Sequence, residues 1–154
     1  MAKIIVSLLV ALLFVLAAVH NFRLRKEAVA LTQPSKFQAL VANGSLILLI
    51  GLAIAAGGGW PYFLLAITAD ALLLSVILSP GLTEEGLLFI SGKAMLVGLL
   101  TFDRVKRASI RVEDQLVLLE VEGAGRKLKQ SYALEYEDVL RKTFRDQKIS
   151  LKEV

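Results

Sequence analysis

The chain has 154 residues, of which 56% are hydrophobic, with a formal net charge of +4 and no cysteine. Its mean hydropathy is +0.66. This composition excludes an intrinsically disordered chain, a disulfide framework, a thiolate nucleophile and a cysteine-based metal site. The charges are unevenly placed. Residues 1–82 hold five bases (Lys3, Arg23, Arg25, Lys26, Lys36) and two acids (Glu27, Asp70), while the other 13 bases and 12 acids follow. A lipid-solvated front and a water-solvated back are expected, rather than one soluble globule.

Ile4–Val19 is an unbroken apolar run. With its flanks it is long enough to cross a hydrocarbon core about 30 Å thick, and a span over residues 3–21 is expected. A signal peptide is the rival reading, with Lys3 as its basic residue and Val15-Leu16-Ala17 as a small-residue pattern. Residues 22–38 are polar. Pro34 interrupts them, because proline lacks an N–H and disfavours helix just before it. Phe37–Ala69 carries no charge and is too long for one span. Gly57-Gly58-Gly59 and Pro61 divide it, which predicts a helical hairpin with spans over 39–56 and 61–79. Trp60 and Tyr62 fall at its tip, where amphipathic rings favour the water–lipid boundary.

The loop after the first span carries four bases and the hairpin tip none. The positive-inside bias therefore places that loop, and the C-terminal half, on the cytoplasmic side of the cell (inner) membrane, with the N-terminus outside. Lys93, Arg104, Lys106 and Arg107 agree and Lys3 dissents. If the first segment were cleaved or failed to insert, the C-terminal half would still lie inside.

Residues 82–154 follow mostly period two. Strands are expected at Gly86–Ile90, Ala94–Phe102, Val105–Val112, Gln115–Val121 and Lys127–Leu134. Glu113-Asp114 reads as a turn. So does Glu122–Arg126, where two residues are free to take positive φ. Tyr136, Val139, Leu140, Thr143 and Phe144 then recur at helical spacing. Acids come in the first turn and bases later, which suits the helix dipole.

These phrases resemble a known group. Leu82-Thr83-Glu84-Glu85-Gly86-Leu87, then Leu100–Lys106 with Phe102 where tryptophan is commoner, then the hairpin Leu116–Leu134 and the terminal helix, are similar to bacterial pleckstrin-homology-like (PH-like) domains of the YcxB-like membrane proteins. The resemblance implies a PH-like split barrel with a C-terminal helix, attached to three transmembrane helices. It implies no chemistry.

Asp70 is the unusual residue, at the centre of the third span near Thr68. An ionised carboxylate there costs roughly 2.5–3.5 kcal/mol on insertion scales. The plain reading is a carboxyl group bonded within its own bundle, to Thr68, Ser75, Asn43 or Ser45. An oligomer contact and an ion-coupling role are the alternatives, but no second acid accompanies it. Gly51 and Ala55, with Gly44 two turns earlier, read as helix packing within the chain ahead of dimerisation. His20 has no metal-ligand partners at suitable spacing and reads as an interfacial side chain. Arg23, Arg25, Lys26 and Lys36, and the run Arg104, Lys106 and Arg107, are the candidate contacts for anionic lipid headgroups. The C-terminal half balances to +1, so a mixed solvated surface is the plain reading of its bases. Nucleic-acid binding would need a one-signed face with interleaved aromatics, so no nucleic-acid partner is expected. Neither glycine cluster has the context of a phosphate loop, and with one histidine and no cysteine an enzyme is not expected. No cofactor is expected either. The expected function is a non-catalytic interaction or regulatory module at the inner membrane surface, with a protein partner, a homo-oligomer or anionic lipid. The alternative is a small transporter or channel subunit using Asp70.

Overall fold

In the computed structural model, residues 2–91 and 95–153 are described. The strand start expected at Ala94, and Lys93, lie outside them. Three helices are long and apolar enough to cross a membrane: α1 (Ala2–Arg25), α2 (Lys36–Ala55) and α3 (Trp60–Leu78). α3 packs against both α1 and α2. Small side chains make the close approaches. Ala11 and Ala18 of α1, Ser45 and Ala53 of α2, and Ala66 of α3 are all buried, as expected where lipid removes the hydrophobic drive and packing must hold helices together.

The helix ends follow from local chemistry. Ser35 caps α2: its Oγ accepts from the Gln38 amide, and the Gln38 side chain accepts from the Ser35 amide. This capping box starts the helix at Lys36, directly after Pro34. Gly57 and Gly58 take positive φ after α2, and Pro61 sits in the first turn of α3. At 20 residues α2 is about 30 Å long, matching the hydrocarbon core, so Lys36 lies at its boundary. α1 has 24 residues and runs about one turn beyond that depth. It ends at Arg25 rather than near position 21.

The remainder forms two four-stranded sheets, neither of which closes into a barrel. The first has the order β1 (Ala28–Leu31), β2 (Gly81–Thr83), β3 (Gly86–Ser91), β4 (Leu96–Thr101). The second has the order β7 (Arg126–Ala133), β6 (Leu116–Gly123), β5 (Val105–Glu113), β8 (Leu151–Glu153). β8 lies parallel to β5, and the other pairings are antiparallel. Helix α4 (Glu137–Asp146) lies between β7 and β8 in the chain.

The two sheets and α4 share one core. Leu82, Leu87 and Leu100 of the first sheet meet Ile110, Val117, Leu119, Val121 and Tyr132 of the second and Leu140 and Phe144 of α4. Phe102, just past β4, meets Phe144 edge-on with ring centroids 5.4 Å apart. The aromatic of the Leu100–Lys106 phrase thus anchors the terminal helix.

Three short strands, β1, β2 and β8, depart from the sequence reading. Ala28–Leu31, expected as polar loop, pairs with β2 and places Ala30 in the core. The transmembrane region 1–81 therefore contributes a strand to the domain expected at 82–154, and β2 itself begins at Gly81. A four-residue strand is too short to show a period against its charged flank. Its pairing also puts the α1–α2 loop and the C-terminal half on the same side of the bundle, as the charge distribution implied. The turn expected within Glu122–Arg126 joins β6 to β7. Ala124 and Gly125 take positive φ, while Gly123 stays in the ladder opposite Arg126. Gly123 is needed for space: a Cβ there would stand 2.4 Å from the Arg104 carbonyl oxygen.

Candidate functional site

The densest polar constellation lies where the bundle meets the sheets. Asn21, one turn before the end of α1, is fully buried. Its Nδ2 donates to Ser75 Oγ of α3 at 2.9 Å and to the Met95 carbonyl at 3.2 Å, and its Oδ1 accepts from the Val97 amide at 2.9 Å. Ser75 in turn donates to the Leu72 carbonyl at 2.7 Å. One amide side chain therefore ties two membrane helices to the first residues of β4. Sequence reasoning missed it. The available signal was a lone asparagine ending an apolar run, a position where a capping or snorkelling role is the ordinary expectation.

A second set of bonds closes the join on the α2 side. The Thr32 amide and hydroxyl both donate to the Pro80 carbonyl at 3.1 Å, and the Gln33 amide donates to the Ser131 carbonyl at 2.7 Å. Within the domain the Tyr132 hydroxyl donates to Gln130 Oε1, and Gln130 Nε2 donates to the Leu88 carbonyl, both at 2.6 Å. That chain bridges β7 to β3 across the two sheets. Burial pushes the Tyr132 hydroxyl above the ordinary phenol range, so it remains a neutral donor.

Asp70 lies in the bundle, 7% exposed, and Ser45 Oγ of α2 donates to its Oδ1 at 2.5 Å. Of the four partners the sequence offered, Ser45 is the one used. Thr68 bonds the Leu64 and Leu65 carbonyls of its own helix, Asn43 bonds the Ala39 carbonyl, and Ser75 belongs to the Asn21 cluster. Asp70 and Thr68 therefore do not form one site. Gly44, Gly51 and Ala55 are exposed on α2, and a Cβ at either glycine would meet nothing within 4 Å. The expected packing of this stripe within the chain is not what the structure shows. Ser45 and Ala53 face α3 in its place.

The candidate headgroup contacts fall in three places. Arg23, Arg25 and Lys26 occupy the last turn of α1 and the residue after it, and His20 is exposed just before them. Lys36 opens α2 beside a groove. Arg104, Lys106 and Arg107 lie where β5 begins, and all three are exposed. Lys106 and Arg107 line a second concavity of about 620 Å³ with Lys127, Lys148 and Lys152, but also with Glu120 and Glu122. Charge there is partly cancelled: Lys127 and Lys129 reach Glu120 at 2.9 and 2.5 Å. Lys129, then Lys127, hold the Glu120 carboxyl down to about 2. Arg126 stacks over the Phe89 ring at 5.2 Å.

The Thr83–Gly86 phrase has a structural meaning. Thr83 Oγ1 accepts from the Gly86 amide at 3.1 Å and donates to the Gly86 carbonyl at 3.0 Å, clasping the β2–β3 turn. A Cβ at Gly86 would stand 2.1 Å from the Leu100 carbonyl oxygen. The phrase therefore builds a hairpin. Among the described residues no group of three or more His, Asp or Glu side chains is placed to hold a metal ion.

Comparison with protein-family models, with curated proteins and with solved structures returns no match for the chain.

Proposed function

We propose that the protein is a non-catalytic interaction or regulatory module, a PH-like domain held in fixed orientation at the inner face of the cell membrane. The observation that supports this best is the join. Asn21 bonds the start of β4, and β1 is drawn from the loop between two membrane helices into the first sheet. A domain on a flexible tether would need neither. Fusion of this kind fixes which surface faces lipid and which faces water, and a module that presents a binding face benefits from that. Two sheets sharing a core with a C-terminal helix suit a PH-like domain. Arg23, Arg25, Lys26 and Lys36 beside an uncharged hairpin tip support the cytoplasmic placement. The partner on this reading is another protein or a second copy, met at β8, the strand that ends the second sheet beside β5.

A photo-crosslinking residue at Arg107 of the full chain in intact cells tests this. The expected result is a discrete adduct, heteromeric or dimeric, that a crosslinker at the lipid-facing Leu12 does not give. Digestion of the C-terminal half by protease added to sealed cells would overturn the placement. An absence of adducts from both Arg107 and Lys152 would overturn the role. Proton or cation flux in proteoliposomes that Asp70→Asn abolishes would establish the transport alternative. The hydrogen bond from Ser45, which gives the Asp70 carboxyl group a partner inside the bundle, argues against that outcome.

A further inference from the structure

A groove of about 930 Å³ opens between the first turn of α2 and the edge of the domain. That is the upper range of small-molecule sites. Its depth in the bilayer is fixed by α2: Lys36 and Phe37 begin a helix as long as the hydrocarbon core is thick, so the mouth lies at headgroup level. The lining is amphipathic. Phe37, 73% exposed, and Ile90, 38% exposed, form an apolar wall with Phe89 and Leu128. Lys36 supplies an unpaired charge and Lys129 an ammonium shared with Glu120, and among the described residues no aspartate or glutamate lines the groove itself. Lys36 joins no ion pair among the described residues. Lys129 spends one contact on Glu120, and an ammonium has three donors. The groove is also preformed: the bonds of Thr32 to Pro80 and of Gln33 to Ser131 fix the segment that leads into α2. The concavity at Lys106 and Arg107 differs on both counts, having two acids in its lining and lying at the other edge of the second sheet.

We propose that this groove seats one anionic phospholipid. The phosphate rests against Lys36, with Lys129 at the rim on the outer face of β7, and the upper acyl chain runs along Phe37, Ile90 and Leu128. The positive end of the α2 dipole adds to the attraction. A lipid held there touches α2 and the domain at once and would brace the join from the side opposite Asn21. The inference rests on the reading above for the leaflet concerned, but the binding chemistry does not depend on it.

The test uses the full chain in detergent, examined by native mass spectrometry with added phosphatidylglycerol or phosphatidylcholine. The wild type is expected to retain one phosphatidylglycerol in preference to phosphatidylcholine. Lys36→Gln should weaken that retention about fivefold, since one base near a lipid surface is worth about that factor. Adding Lys129→Gln should remove the preference. Lys106→Gln with Arg107→Gln should leave it unchanged. Glycerol phosphate, which lacks acyl chains, should not compete. Equal retention of both lipids by the wild type would overturn the proposal, as would a far-edge variant that loses as much as the groove variant. Displacement by glycerol phosphate would assign the site to a soluble phosphate. A photo-crosslinker at Phe37 that captures protein in place of lipid in native membranes would assign it to a partner chain. Lys36 is exposed, so its substitution should leave the thermal transition in place, and none of these outcomes bears on the adducts expected from Arg107.

Discussion

Replacing Asn21 with leucine tests whether the membrane bundle and the sheets behave as one unit. The substitution keeps the side chain's branching and heavy-atom count and removes three hydrogen bonds, to Ser75 Oγ, the Met95 carbonyl and the Val97 amide. Each is worth about 1 kcal/mol net, and the Val97 N–H left buried without an acceptor adds about 1–3 kcal/mol. Apolar contacts of the new leucine offset part of this. A net loss of about 3 kcal/mol is expected, large against a total stability of about 5–15 kcal/mol. The loss should be local as well as global. Amide exchange at Val97 in the full chain in detergent should accelerate about a hundredfold, since 1.4 kcal/mol is a factor of ten. Asn43→Leu supplies the control, because Asn43 is exposed and bonds only its own helix, and it should cost under about 0.5 kcal/mol. A cycle with Ser75→Ala should return a coupling of about 0.5–3 kcal/mol. If Asn21→Leu leaves both stability and Val97 protection at the wild-type level, the join is not held by this residue and the argument for a fixed orientation loses its support.

Three other perturbations follow from the same geometry. Gly86→Ala should destabilise the domain by about 2–3 kcal/mol in denaturant unfolding, because the added methyl meets backbone that cannot swing aside, whereas Gly44→Ala, with open space around it, should be neutral or stabilising by up to about 1 kcal/mol. Asp70→Asn should leave the thermal transition nearly unchanged, since an amide can accept from Ser45 as the carboxyl does, while Ser45→Ala should cost about 1–3 kcal/mol by leaving Asp70 without its donor; the reverse order would show that the carboxylate has another task. Glu120 should titrate near pH 2 by carbon NMR of the full chain, and Lys129→Gln should return the midpoint toward 4.5. Because the folded value is depressed, the stabilising contribution of this carboxylate is complete above pH 4.5 and disappears as pH falls through 2.

Much of this architecture was legible because burial in lipid and burial in a sheet leave different periods in a sequence. The three spans, the glycine hairpin, five strands and the terminal helix all carry long patterns, and the structure contains each. Short pairings carry none. Ala28–Leu31 and Leu151–Glu153 become strands because a neighbouring edge is free, and that edge is set by residues fifty or more positions away for the first and about forty for the second. Polar contacts were legible only where the residue was anomalous. Asp70 drew attention by its charge, and its partner was among the four named. Asn21 did not, since an asparagine at the end of an apolar helix is ordinary in a sequence and becomes unusual only once its amide is seen fully enclosed.

The residue that looked most functional and the residue that does most to organise the molecule are thus different, and the reason is physical. A carboxyl group mid-membrane is expensive alone, but one hydroxyl donor makes it compatible with an apolar bundle, so Asp70 can be a local matter between α2 and α3. Asn21 is a neutral amide with donors and an acceptor on one rigid plane. It can therefore bond a helix and a strand edge simultaneously, which neither a carboxylate nor a hydroxyl at that position would do as well. A strand start such as Met95–Val97 exposes backbone groups that must be met by something, and at the edge of a membrane water is a poor competitor for them. The amide at the end of α1 meets that need.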